Sequence, residues 1–168
     1  DSLAPGERTA AHQVAAQIGV PVTELPTEEL THEGYRTNGP DRCFFCKDEL
    51  FTRMQSLASE LDVTALAYGE NADDAVRPDR PGSRAASAHR VLRPLAAARL
   101  TKQDVRQVAR VLGLVCADKP AAPCLASRIP HFSPVLPEKL KAVAAAEQVV
   151  RSLGFSDCRV RHHDEVAR

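Results

Sequence analysis

Cys43 and Cys46, in the run Arg42-Cys-Phe-Phe-Cys-Lys47, and Cys124, in Lys119-Pro-Ala-Ala-Pro-Cys-Leu-Ala-Ser-Arg128, are the residues whose types and spacing most directly suggest chemistry. A CxxC pair holds two thiols within reach of one metal or of each other. Cys124 sits between Lys119 and Arg128, and nearby cations favour the thiolate, which is the nucleophile and the ligand. The prolines around it stiffen the loop that presents it. The CxxC pair reads as a metal or iron–sulfur site, as a redox pair, or as two half-buried thiols on a helix end. Cys124 reads as reactive or as a structural loop cysteine. Zinc would want a second CxxC or a spaced histidine pair, whereas His162 and His163 are adjacent. Three cysteines around a cubane iron–sulfur cluster with one open iron fit the count better. Cys116 and Cys158 stand in apolar or strand-like contexts and read as packing residues, and the six histidines as surface residues.

Two further groups could carry chemistry. In Gly69-Glu-Asn-Ala-Asp-Asp74, Asp73 or Asp74 could hold magnesium with phosphate oxygens, and Asn71 could orient a nucleotide. The same residues suit a turn with local backbone hydrogen bonds. Arg159 and Arg161 alternate along an expected strand, so both face one side. Paired guanidiniums recognise phosphate or carboxylate, although a solvated edge strand gives the same pattern.

The elements that must position these residues follow from periodicity. Apolar spacing predicts a helix over 7–18, capped by Gly19. A second helix follows from Asp41 to about Glu60, with Phe45, Leu50, Met54, Leu57 and Leu61 inward. Cys43 and Cys46 then lie in its first turn. Thr101 and Asp104 form a capping-box-like start for a helix ending near Gly113. The longest amphipathic helix runs from Glu138 to Leu153, closed by Gly154. Residues 20–25, 63–68 and 155–161 read as strands, and 26–40, 69–81 and 120–137 as irregular connections. Strands separated by helices predict an α/β fold with a parallel sheet, whose ligand crevice lies at the carboxyl ends of the strands. The proline-rich stretch 120–137 is the expected domain boundary.

Composition narrows the class. The 168 residues are 43% hydrophobic, and 22 basic residues balance 22 acidic ones. Bulk charge therefore does not recruit nucleic acid or an anionic membrane. No apolar run reaches membrane-spanning length. Five unevenly placed cysteines favour a reducing, cytoplasmic setting over a disulfide scaffold. The ends, at Asp1 and Arg168, read as cut, which predicts a fragment of a longer protein.

Taken together, Asn38-Gly-Pro-Asp-Arg-Cys-Phe-Phe-Cys-Lys47, Gly69-Glu-Asn-Ala-Asp-Asp74, Arg80-Pro-Gly82, Arg93-Pro-Leu95, Leu100-Thr-Lys102, Asp118-Lys-Pro120, Cys124-Leu-Ala-Ser-Arg128 and Arg159-Val-Arg161 resemble, in order, the LarE family of ATP-dependent sulfur transferases. The resemblance implies a partial PP-loop ATP pyrophosphatase domain over 1–128. The start of a smaller C-terminal substrate and oligomerisation domain would follow over 129–168. It implies ATP and Mg2+ as cofactors, a small mononucleotide substrate, and a homo-oligomer at full length. The family adenylylates a carboxylate of a pyridinium biscarboxylate mononucleotide. A protein sulfur then attacks to give a thiocarboxylate, in nickel-pincer nucleotide biosynthesis. Cys124 matches the sulfur-bearing cysteine. In some members that residue gives up its own sulfur and becomes dehydroalanine; in others three cysteines, here Cys43, Cys46 and Cys124, hold a 4Fe–4S cluster. Asn71, Asp74, Lys119, Ser127, Arg159 and Arg161 would bind nucleotide or phosphate. The family's Ser-Gly-Gly-x-Asp-Ser phosphate loop is absent from the chain, and Asp1-Ser2 resembles the end of the strand that follows that loop. The chain alone is therefore expected to be inactive. Another PP-loop enzyme (a tRNA thiolase or an amidating synthetase) and a non-catalytic cluster- or zinc-binding module are the alternatives.

Overall fold

The apolar spacing of residues 7–18 produces helix α1 (Glu7–Ile18), which closes at Gly19 with φ 75°. Only that left-handed conformation lets the Gly19 N–H reach the carbonyls of Ala15 and Ala16. The computed structural model describes residues 2–77, 80–155, 157–163 and 165–168. Asp1, half of the Asp1-Ser2 expectation, lies outside them.

After a 3-10 turn (Glu29–Thr31) and the short α2 (Glu33–Arg36), the chain enters α3 (Arg42–Glu60). Helices α2 and α3 pack closely: a Cβ at Gly34 would stand 2.4 Å from the Phe45 ring. A side chain at residue 34 would force them apart. The connection expected over 69–81 contains α4 (Ala72–Ala75), and α5 (Pro81–Ala88) follows. Next come α6 (Pro94–Ala97) and α7 (Lys102–Val111), the latter opened by the anticipated Thr101–Asp104 capping box. A 3-10 turn (Leu125–Arg128) precedes α8 (Pro137–Ser152), and β1 (His162–His163) pairs antiparallel with β2 (Val166–Ala167).

Two apolar clusters hold these elements. Tyr35, Leu125, Ile129, Val135, Leu140 and Val143 unite α2, the Leu125–Arg128 turn and α8, with Phe45, Cys46 and Cys124 against them. Phe51, Ala85, Ala86 and Val91 join α3 to α5. The α3 expectation holds in extent but not fully in facing: Phe51 is the buried aromatic, whereas Leu61 is 59% exposed at the helix end.

The three expected strands do not form. Residues 20–25 are irregular with Val20 and Val22 exposed, and Pro21 has no N–H to give a ladder. Residues 63–68 form only one parallel bridge, Ala67 to Leu92, through Leu92 N–H to Leu66 O and Tyr68 N–H to Leu92 O. The described part of 155–161 leads into β1 without pairing, apart from Arg161, whose N–H and C=O exchange bonds with Arg168. β-propensity needs a neighbouring strand to become a sheet. Among the described residues the only such hint of a parallel sheet is that bridge. No helix among them is long and apolar enough to cross a membrane.

Candidate functional site

Asn38 and Arg42 bring the two cysteine segments together. Asn38 is fully buried with φ 57°, a left-handed conformation that Asn tolerates better than most residues. Its amide nitrogen donates to the carbonyls of Ile129, Pro130 and Ser133, and its Oδ1 accepts from Arg42 Nη1 at 2.6 Å. The same Arg42 nitrogen donates to Ala126 O at 2.9 Å. The start of α3, which carries Cys43 and Cys46, is thereby fastened to the turn just after Cys124. Residues ninety positions apart meet because one amide and one guanidinium satisfy carbonyls that the turn leaves unpaired.

The two thiols of the CxxC pair have different settings. Cys43 is exposed, with Arg42 Nη2 at 3.9 Å from its sulfur. Cys46 is half-buried against the first core, and burial pushes its thiol up to about 12, with the Glu29 carboxylate adding to the rise. Cys46 is therefore a neutral thiol at ordinary pH. Cys124 packs against the same core. Among the described residues no three of His, Cys, Asp and Glu converge to hold a metal ion. The set Cys43, Cys46 and Cys124 does not stand ready-made for a cluster, so no chemistry is derived through one.

The cations flanking Cys124 are directed elsewhere. Lys119 Nζ pairs with Glu7 at 2.7 Å. Arg128 is buried and forms a bidentate pair with the fully buried Glu147, Nε to Oε1 at 2.7 Å and Nη2 to Oε2 at 3.2 Å. Its Nη1 donates to the carbonyls of Pro123 and Cys124 and to Ser127 Oγ. Arg128 thus shapes the loop through its backbone. Burial alone would raise Glu147, but the bond from Arg128, the Val160 N–H and the charges of Arg128 and Arg151 hold its carboxyl below the usual range.

In the 69–74 segment the local-turn arrangement is present. Asn71 Oδ1 caps α4 by accepting from Asp74 N–H at 3.0 Å. Asp73 accepts from Lys102 N–H at 2.8 Å, and Asp74 pairs with Arg80 at 2.7 Å. The buried carboxylate here is Glu70, which the sequence reading passed over. It accepts from Tyr68 Oη and from Ser83 Oγ, with Arg93 Nη1 at 3.6 Å. Lys47, next after Cys46, lies 4.0 Å from the centre of the Tyr68 ring. Burial lowers the Lys47 ammonium while Glu70 supports it. A glutamate two positions after the apolar run 63–68, with a lysine ending the CxxC segment, was the available signal. His89 corrects the surface assignment of the histidines: it is wedged between Asp48 Oδ1 at 2.8 Å and Gln55 Oε1 at 2.9 Å.

Arg159 and Arg161 are both exposed and part company. Arg159 Nη2 reaches Ala121 O at 3.4 Å and lines a cavity of about 300 Å³ with Lys119, Arg128, Arg151 and Cys158. Glu7 and Asp157 line it too, so four cations face two carboxylates. Ser127, whose hydroxyl bonds Arg128, and Arg161 are not among its lining residues.

No family model matches the chain. It is 40% identical over 167 residues to an uncharacterized protein of Synechocystis, covering 99% of this chain and 62% of that protein. It is 31% identical over 158 residues to the pyridinium-3,5-bisthiocarboxylic acid mononucleotide synthase of Lactiplantibacillus plantarum, covering 94% of this chain and 57% of the synthase. An uncharacterized protein of Methanocaldococcus jannaschii is 28% identical over 130 residues, half of its own length. The chain thus spans between half and five-eighths of these relatives.

Proposed function

We propose that this chain is part of a LarE-type sulfur transferase that converts a carboxylate of pyridinium-3,5-biscarboxylate mononucleotide to a thiocarboxylate. The observation that carries the reading is the likeness to the named synthase along 94% of the chain, together with Cys124 at the head of a clamped turn and packed, like the half-buried Cys46, against the first core. In the proposed reaction the carboxylate attacks the α-phosphorus of ATP and displaces pyrophosphate, whose charge Mg2+ would neutralise. The sulfur at Cys124 then attacks the acyl carbon and AMP departs, leaving a thioester; loss of the Cα proton and cleavage of the Cβ–Sγ bond of Cys124 release the thiocarboxylate and leave dehydroalanine at position 124. A carboxylate resists nucleophiles until its oxygen becomes a good leaving group, so activation must precede the sulfur attack.

This chain's residues divide the remaining work. Arg159, lining the cavity beside Arg151, suits a phosphate, since guanidiniums bind its oxygens in forked pairs. Asn71 and Asp74, beside the buried Glu70, would meet the nucleotide. Buried Arg128 holds the backbone that presents Cys124.

The test uses the full-length protein with the biscarboxylate mononucleotide and MgATP. Mass spectrometry is expected to detect a thiocarboxylate product, and Cys124→Ala to abolish it. A Cys124→Ala protein that still transfers sulfur would overturn the reading. Single-turnover transfer by a Cys43→Ala/Cys46→Ala variant would assign the donated sulfur to Cys124 itself.

A further inference from the structure

The one Asn-Gly pair of the chain, Asn38-Gly39, lies inside the clamp that joins the two cysteine segments; the other asparagine, Asn71, precedes alanine. Asn-Gly is the dipeptide most prone to modify itself in water, because glycine puts no side chain in the way of its own amide nitrogen. In that reaction the Gly39 nitrogen loses its proton to hydroxide and bonds to Cγ of Asn38. The Cγ–Nδ2 bond breaks, and Nδ2 takes a proton from water and leaves as ammonia. Water then opens the five-membered imide at one of its two ring C–N bonds, giving aspartate or isoaspartate. Nothing is oxidised or reduced, and water is the only co-reactant.

The folded chain holds both reacting groups in place. Asn38 is fully buried. Its Nδ2, the leaving nitrogen, donates to the carbonyls of Ile129, Pro130 and Ser133 at 3.3, 2.7 and 2.9 Å. Its Oδ1 accepts from Arg42 Nη1 at 2.6 Å. The peptide unit that carries the Gly39 nitrogen is tied as well: Asn38 O accepts from the Phe132 N–H at 3.0 Å. On the other side the Asn38 N–H donates to Tyr35 O at 3.2 Å. Electrophile and nucleophile are thus anchored to the same 129–133 loop. The side chain cannot swing onto the backbone without breaking those bonds. Two effects oppose each other here. The Arg42 guanidinium draws charge from the amide carbonyl and would help the attack. The anchoring prevents the approach, and reaction needs the two atoms aligned at about 3–3.5 Å. Geometry prevails, since an activated carbonyl that cannot be reached does not react.

We propose that Asn38-Gly39 is a latent deamidation site, held inert by the closed clamp and converted when the clamp opens, and that conversion disables the clamp permanently. A carboxylate at position 38 has acceptors only. It would set negative oxygens against three loop carbonyls, and isoaspartate would also reroute the main chain through the side chain. An ion pair with Arg42 does not replace the lost N–H donors. Deamidation therefore parts the start of α3 from the turn after Cys124, whatever reaction the chain serves.

The experiment compares folded wild type with wild type unfolded in guanidinium chloride, both incubated at one mildly alkaline pH. Trypsin then releases the peptide Thr37–Arg42, and mass spectrometry follows its conversion from amide to acid. The folded chain is expected to convert about a hundredfold more slowly, equivalent to about 2.8 kcal/mol of opening free energy. Equal or nearly equal rates in the two samples would overturn the proposal. Arg42→Ala removes one arm of the clamp and should speed conversion in buffer. Slower conversion would mean that Arg42 activates the carbonyl more than it restrains it, and would overturn the proposal too. The wild-type comparison uses no variant, so misfolding of Arg42→Ala leaves the proposal open to refutation. Asn38→Asp supplies the product directly. Its denaturation midpoint should fall below that of wild type, and an unchanged midpoint would refute the permanent loss of the clamp.

Discussion

At the scale of single residues, neighbours decide what a side chain can do. Cys43 and Cys46 are three positions apart on one helix, yet one is in solvent and the other is a half-buried neutral thiol. Glu49 is another case. It is 7% exposed and accepts from Arg53, from the Glu28 N–H and from His32. Arg53 is the leading cause that brings its carboxyl down from 4.5 to about 2. A depressed carboxyl contributes stability that is present above its unfolded value and is lost as the pH falls through the folded one. Glu49→Gln should therefore cost about 2 kcal/mol at pH 7. Its deficit against wild type should shrink between pH 4.5 and 2, the window set by that shift. Urea midpoints at pH 7, 4 and 2 check this, and a deficit that stays constant across them would refute it.

At the scale of elements, a buried ion pair ties α8 to the Cys124 loop, beside the apolar packing of Leu125 on Leu140 and Val143. Glu147 anchors Arg128, and Arg128 gathers the carbonyls of Pro123 and Cys124. Removing one member of a buried pair leaves the other charge uncompensated, which costs about 3–5 kcal/mol. Glu147→Ala is therefore expected to lower stability by that amount in chemical denaturation. The same variant should accelerate alkylation of Cys124, because its loop loses the guanidinium that holds it. Unaltered stability would mean that solvent, not Glu147, compensates Arg128. Helices α3 and α5 are joined differently, by Phe51 against Ala85 and Ala86 and by His89 between Asp48 and Gln55.

At the scale of the molecule, the decisive contacts join segments far apart in sequence. Asn38 ties the α2–α3 connection to residues 129–133, and Arg42 ties α3 to Ala126. The first core likewise draws from Ala4, α2 and α8. Asn38→Ala would leave three loop carbonyls without their donor and take one of the acceptors of Arg42, at an expected cost of about 3 kcal/mol. Calorimetry should show that loss. A second consequence is faster alkylation of Cys46 and Cys124 together, because both depend on the one clamp. Loss of stability with both rates unchanged would show that the clamp does not position the thiols.

What could be read from the chain alone were features governed by near neighbours. The α1 span and its Gly19 cap, the Thr101–Asp104 box and the extent of α3 and α8 depend on hydrogen bonds and side-chain spacing within a few turns, and periodicity records these. The Asn38–Lys47 and Cys124–Arg128 segments pointed to the sulfur-transferase resemblance because residue types in order survive any change of packing. Only the tertiary structure decided the pairing of Lys119 with Glu7, the bidentate grip of Glu147 on Arg128 and the burial of Glu70 and Tyr35. Those outcomes depend on which groups meet across separations that run from 13 to 112 positions. The strands expected at 20–25, 63–68 and 155–161 failed for the same reason: a strand is completed by hydrogen bonds to a neighbour, and its own residues do not specify one.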